Sequence, residues 1–162
     1  MKKITIGFSR PKGKICPCLS WGIRLFQGWT PYSHVYVKFH SNSLDRDVIY
    51  QASGLQVNYI GSKLFYKHVH VVDEFSLEIS DEDYRKMMQY TVDNAGKPYS
   101  LKSIFAILFK IESWCDGDDS FVCSELIGEI LRKYTDVSID KSSEALTPKD
   151  IHRYLTSIKK AP

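Results

Sequence analysis

The chain has 162 residues, of which 43% are hydrophobic and 25% charged, and its formal net charge is +3. That balance supplies one domain-sized core and excludes a disordered, collagen-like or low-complexity chain. The longest apolar run, around "IFAILF", is far too short to span a bilayer, and four cysteines are too few for a disulfide scaffold, so a reducing compartment is expected.

Charge is uneven along the chain. No acid precedes Asp45, whereas Lys2, Lys3, Arg10, Lys12, Lys14, Arg24 and Lys38 do. A basic N-terminal segment could attract phosphate, anionic lipid or nucleic acid, but a solvated surface is the preferred reading. No nucleic-acid-binding motif accompanies it, so nucleic acid is not an expected partner. "MKKITIGFSRPKGK" has the positive start of a signal peptide, but Arg10, Lys12 and Lys14 interrupt the apolar middle. The expected location is cytoplasmic, or reached by a non-classical route.

"KITIGFS" alternates as a strand, and "LSWGIRLFQG" reads as a short helix ended by Gly28. "SHVYVKF" alternates cleanly, with Val35, Val37 and Phe39 on one face and His34, Tyr36 and Lys38 on the other. "DVIYQASG" and "LQVNYI" predict two strands joined near Gly54, and "KHVHVVDEFSLEI" one or two more. Then the pattern turns helical. "SDEDYRKMMQYTVDNAG" starts on Ser80 as N-cap and closes at Gly96; "LKSIFAILFKI" predicts a buried helix. "SFVCSELIGEILRKY" predicts another, capped by Asp119 or Ser120, and "TPKDIHRYL" has Thr147 as N-cap, Pro148 at the first helical position and Asp150 completing a capping box. The fold class expected is α+β: a small, largely antiparallel sheet packed against helices, in a single domain over 1–162.

Cys123 shares a helical stripe with Leu126, Ile127, Ile130, Leu131 and Tyr134. A cysteine there can be a small buried hydrophobe. It can also be a nucleophile, because the positive end of the helix dipole favours a thiolate. Asp116, Asp118 and Asp119 oppose ionisation, so a nucleophile would need a cationic partner such as histidine. His40 and His152 lie in polar surroundings and read as surface residues. His68 and His70 would share a strand face, but no third metal ligand stands near. "CPC" at 16–18 lacks the usual zinc spacing and a second pair. No metal or cofactor is expected. His34, directly after "TPYS", begins a strand and can point into a cleft or into solvent.

"SHVYVKF", "VIYQASG", "GKPYS" and "FVCSELI", in that order, resemble the circularly permuted branch of the NlpC-type papain-like fold, which includes YiiX-like bacterial proteins and the lecithin retinol acyltransferase group. In that branch the histidine strand comes first and the cysteine helix last. The resemblance spans about residues 4–134 and leaves 135–162 as a C-terminal helical extension. It implies Cys123 as nucleophile, His34 as general base and Gln51 as the polar residue that orients the imidazole. It implies Tyr99 as an oxyanion ligand beside the backbone N–H of Cys123. It also implies that the core-facing side of the cysteine helix meets the histidine strand. Gln51 departs from the family's frequent Glu or His and brings no negative charge to that position. Trp21, Phe26, Trp29, Tyr32 and Tyr36 lie near His34 in sequence and could line a substrate groove or belong to the core.

The function implied is a thiol hydrolase that cleaves an amide or ester through an acyl-enzyme, acting on a peptide, a cell-wall fragment or a lipid, with acyl transfer as a variant. The alternatives are a non-catalytic lipid- or anion-binding module on the same fold, or a structural component of a phage or secretion assembly.

Overall fold

Strand β1 (Lys2–Pro11) is buried without interruption from Ile4 to Ser9, the mark of a strand covered on both faces. The computed structural model describes residues 1–13, 17–54, 56–98, 122–142 and 146–160. Within them β1 is joined by β2 (His34–Ser41), β3 (Arg46–Ser53), β4 (Gln56–Gly61) and β5 (Val69–Ile79) in one five-stranded sheet of order β4-β3-β2-β1-β5. Every neighbouring pair is antiparallel, as the class of alternating patterns predicts. The β3–β4 hairpin pairs Ser53 with Gln56 across a two-residue connection, and Gly54 supplies the left-handed backbone (φ 74°) that such a turn requires.

Helix α1 (Pro17–Phe26) precedes β2. It ends in a Schellman arrangement: the Gly28 N–H donates to the Leu25 carbonyl (3.0 Å) and the Trp29 N–H to the Arg24 carbonyl (2.8 Å). A short helix, α2 (Ser62–His68), was not anticipated by the alternating pattern around it; it bridges β4 to β5. His68 therefore ends a helix while His70 sits in β5, and the two do not share a strand face. Helix α3 (Asp81–Asp93) starts as the sequence predicts, with the Asp83 N–H donating to the Ser80 hydroxyl at 3.0 Å. Helix α4 (Cys123–Tyr134) is the cysteine helix. Helix α5 (Pro148–Lys160) carries the expected capping box: the Thr147 N–H donates to the Asp150 carboxylate (3.0 Å) and the Asp150 N–H to the Thr147 hydroxyl (3.2 Å). The "LKSIFAILFKI" helix lies outside the described residues.

Packing divides the sheet into two rows. Ile4, Ile6, Phe8, Val35, Val37, Tyr50, Ala52 and Val57 join Cys123, Leu126, Ile127, Ile130 and Leu131 in the main core. Each large aliphatic side chain removed from water there contributes about 1.5–3 kcal/mol. Helix α4 rests on β2 and β3 and is flanked by α3 and α5. The alternate row, Tyr36 and Ile49, packs with Phe65 of α2. On that side the Tyr36 ring lies directly over Gly7, where a Cβ would stand 2.1 Å from Tyr36 Cζ. Tyr36 then donates its hydroxyl to Glu74 (2.9 Å), which also receives Lys38 Nζ on both oxygens (2.9 Å each).

Candidate active site

The turn before β2 is fixed from several sides. The Thr30 hydroxyl donates to the Tyr32 carbonyl (2.8 Å), the Ser33 N–H to the Ser9 carbonyl (3.0 Å), and the Ser33 and Ser20 hydroxyls share a 2.6 Å hydrogen bond. His34 follows as the first residue of β2, partly buried, with Ser9 of β1 as its cross-strand neighbour.

Gln51, buried on β3, meets the ring: His34 Nε2 and Gln51 Oε1 are 2.8 Å apart. The protonation of that ring follows from a chain of hydrogen bonds that begins at the backbone. Asn58 Nδ2 donates to the carbonyls of Gln56 (3.1 Å) and Ser53 (3.3 Å), which turns its Oδ1 toward Gln51. Gln51 Nε2 donates to that oxygen at 3.4 Å, so Gln51 presents its own Oε1 to the imidazole. An amide oxygen only accepts, so Nε2 of His34 carries the proton and Nδ1 keeps the lone pair. The neutral ring is also the favoured one: burial lowers the His34 pKa from 6.5 to about 4, with the Gln51 hydrogen bond partly opposing it. At neutral pH the imidazole is therefore uncharged, with Nδ1 as its acceptor atom, and Gln51 offers it a dipole where a carboxylate would offer a charge.

Sequence reasoning overlooked Asn58, yet hairpin arithmetic reaches it. Once Ser53 pairs with Gln56, Gln51 must pair with Asn58. It also overlooked Ser9, whose fully buried hydroxyl has no hydrogen-bond partner among the described residues and stands opposite His34.

Cys123 is a reduced thiol, 4% exposed, at the first position of α4. The N-cap is Val122, whose side chain accepts no hydrogen bond; its backbone N–H reaches Glu125 Oε2 at 3.4 Å. This places the helix start later than the expected cap at Asp119 or Ser120. A second tie holds the helix end, where the Ser124 hydroxyl donates to the Leu146 carbonyl at 2.6 Å.

The described geometry brings His34 and Gln51 together and sets α4 on their two strands, but through the other row. Val35, Tyr50 and Ala52 meet α4, whereas alternation aligns His34 and Gln51 with Tyr36 and Asn58. The core-facing side of α4 thus meets the histidine strand, as expected, but on the row opposite the one that carries His34 and Gln51.

Tyr36 is fully buried with its hydroxyl committed to Glu74, and Tyr32 is 5% exposed, stacked on His152 with ring centroids 5.1 Å apart. Burial first, then Asp73 and Asp150, push the Tyr32 hydroxyl up to about 12. Both tyrosines belong to buried clusters, one of the two roles the sequence leaves open for them; Tyr99 lies outside the described residues, as do Cys16, Cys115 and the aspartates at 116, 118 and 119. His40 is exposed beside Asp47, as expected. His152 is half-buried, and its surroundings are not only polar: it packs against Phe8 and Phe75 and hydrogen-bonds Asp73 at 3.0 Å. Its polar sequence neighbours gave no sign of this, because α5 turns only every third or fourth residue inward. Among the described residues no helix is long and apolar enough to cross a membrane.

Comparison with known proteins adds no family: no family model matches the chain, and no curated protein matches it.

Proposed function

We propose that the protein is a thiol hydrolase of the permuted papain-like type, with Cys123 as nucleophile, His34 as base and Gln51 as the residue that positions the ring. The observation that carries this reading is the His34 Nε2–Gln51 Oε1 hydrogen bond, which leaves Nδ1 as the basic atom at the end of the strands that support α4. The sequence resemblance supplies the roles; the hydrogen-bond chain supports them.

The reaction follows from those groups. As Cys123 Sγ bonds to the carbonyl carbon of an amide or ester, its proton passes to His34 Nδ1. The carbonyl oxygen becomes an oxyanion, for which the Cys123 N–H and Tyr99 are the proposed donors. The intermediate collapses, the C–N or C–O bond breaks, and Nδ1–H returns its proton to the leaving amine or alcohol. Water then gives a proton to Nδ1 and attacks the thioester; the acid product leaves and the thiol is restored. With His34 neutral, the thiol proton moves during attack and no imidazolium need form beforehand. Gln51, neutral, stabilises the transient imidazolium less than a carboxylate would. The substrates proposed are peptide or cell-wall amides and lipid esters.

A second reading, a non-catalytic binding module, is favoured by the separation of Cys123 and His34 into different rows. The test is iodoacetamide modification of Cys123, followed by peptide mass across pH, in the wild type and in His34→Ala, with ester and amide hydrolysis measured in parallel for Cys123→Ala. The hydrolase reading expects labelling that depends on His34 and hydrolysis that disappears with the thiol. A Cys123 that resists labelling in the native protein, together with hydrolysis unchanged in Cys123→Ala, establishes the binding module instead.

A further inference from the structure

Ten large hydrophobic residues are exposed among the described residues, and four of them fall on α1 and the turn that follows it: Trp21 (52% exposed), Leu25 (37%), Phe26 (54%) and Trp29 (55%). Isolated exposed apolar side chains are ordinary, whereas a cluster marks a contact surface. The two indoles pack edge to face with ring centroids 5.4 Å apart, so the cluster is an ordered patch.

The backbone gives independent support. After Gly28 (φ 77°), Trp29 also adopts a left-handed conformation, with φ 59°. A bulky residue in that region is strained, and such strain persists where the surrounding structure or a function holds it. Here the strain keeps an indole outside the core, where folding gains little from it.

Charge then selects the partner. Beside the patch lies an open groove of about 640 Å³, lined by Arg10, Pro11, Trp21, Arg24, Leu25 and Phe26. Lys12 adjoins it, held by the Tyr66 carbonyl (2.8 Å), and Arg24 is held by the Thr30 carbonyl (2.8 Å). Both cations are anchored by neutral carbonyl oxygens, and the sequence has no acid before Asp45. Tryptophans among arginine and lysine are the chemistry of a membrane interface: the indoles sit at headgroup depth and the cations meet lipid phosphates.

We propose that α1 and its exit turn dock the protein on a bilayer that contains anionic lipid. The proposal stands independently of catalysis, because it uses neither Cys123 nor His34. Its geometric consequence is that the Ser20–Ser33 hydrogen bond ties the docked helix to the residue before His34.

The experiment is co-sedimentation of the full chain with vesicles of phosphatidylcholine alone and of phosphatidylcholine with about 30% phosphatidylserine. The anionic vesicles should bind at least about ten-fold more tightly, and the advantage should shrink as salt shortens the Debye length. Trp21→Ser and Trp29→Gly should each weaken binding about ten-fold. Trp29→Gly removes the left-handed strain, so its thermal midpoint should hold or rise, which separates lost binding from lost folding. Equal binding to both vesicle types, undiminished binding by the two variants, or no binding at all overturns the proposal. So does a concentration-dependent dimer that Trp21→Ser abolishes, because the patch would then join two copies of the chain.

Discussion

Acidification should destabilise this protein through one imidazole. His34 is neutral in the fold down to a pKa of about 4, whereas in the unfolded chain it takes up a proton at its ordinary 6.5. Between those values the unfolded state binds more protons, so stability rises with pH across the window and falls as pH drops through it. Linkage gives a loss of roughly 1 kcal/mol by pH 5.5 that grows to about 3 kcal/mol below the folded pKa. The assay is urea unfolding from pH 7.5 to 4, compared between the wild type and His34→Gln. The variant loses the His34–Gln51 hydrogen bond at every pH, but it has no proton to bind, so the difference between the two curves isolates this ring. A difference that stays constant from pH 6.5 to 4.5, or an NMR titration of His34 with its midpoint near 6.5, would refute the reasoning.

Gln51→Glu exchanges the amide oxygen at 2.8 Å for a carboxylate, and a charged hydrogen bond is worth about 1.5–3 kcal/mol, so the His34 midpoint should climb from about 4 to above about 5 in the same NMR titration; an unmoved midpoint would mean that Gln51 does not face the ring. Gly7→Ala places a Cβ 2.1 Å from a Tyr36 ring that Phe65 and Glu74 hold in place, and should cost about 2–4 kcal/mol in urea unfolding, with part regained when Tyr36→Val clears the space. A stability equal to the wild type in Gly7→Ala would show that the Tyr36 ring can move aside.

Local chemistry made much of the architecture readable. Period-two alternation in "SHVYVKF" and "KITIGFS" marked the central strands, Gly54 the hairpin and Gly28 the end of α1. The Thr147–Pro148–Asp150 pattern marked the start of α5, because each feature depends only on residues a few positions apart. His34 and Gln51 were readable as a pair only through the family resemblance, and their contact then followed from register. Burial patterns misled where sequence neighbours are polar but spatial neighbours are not, as at His152, and where tyrosines near the histidine could be either lining or core, as at Tyr32 and Tyr36.

The sequence by itself determined the strands, the end of α1, the starts of α3 and α5 and the two faces of β2. Only the tertiary structure decided which face receives α4, that Asn58 orients Gln51 and so the proton on His34, and that α1 leaves two tryptophans outside. Alternation divides a strand into two rows but carries no label for the element that covers each. That choice belongs to packing between segments nearly ninety residues apart, where shape and burial, not local propensity, select the partner.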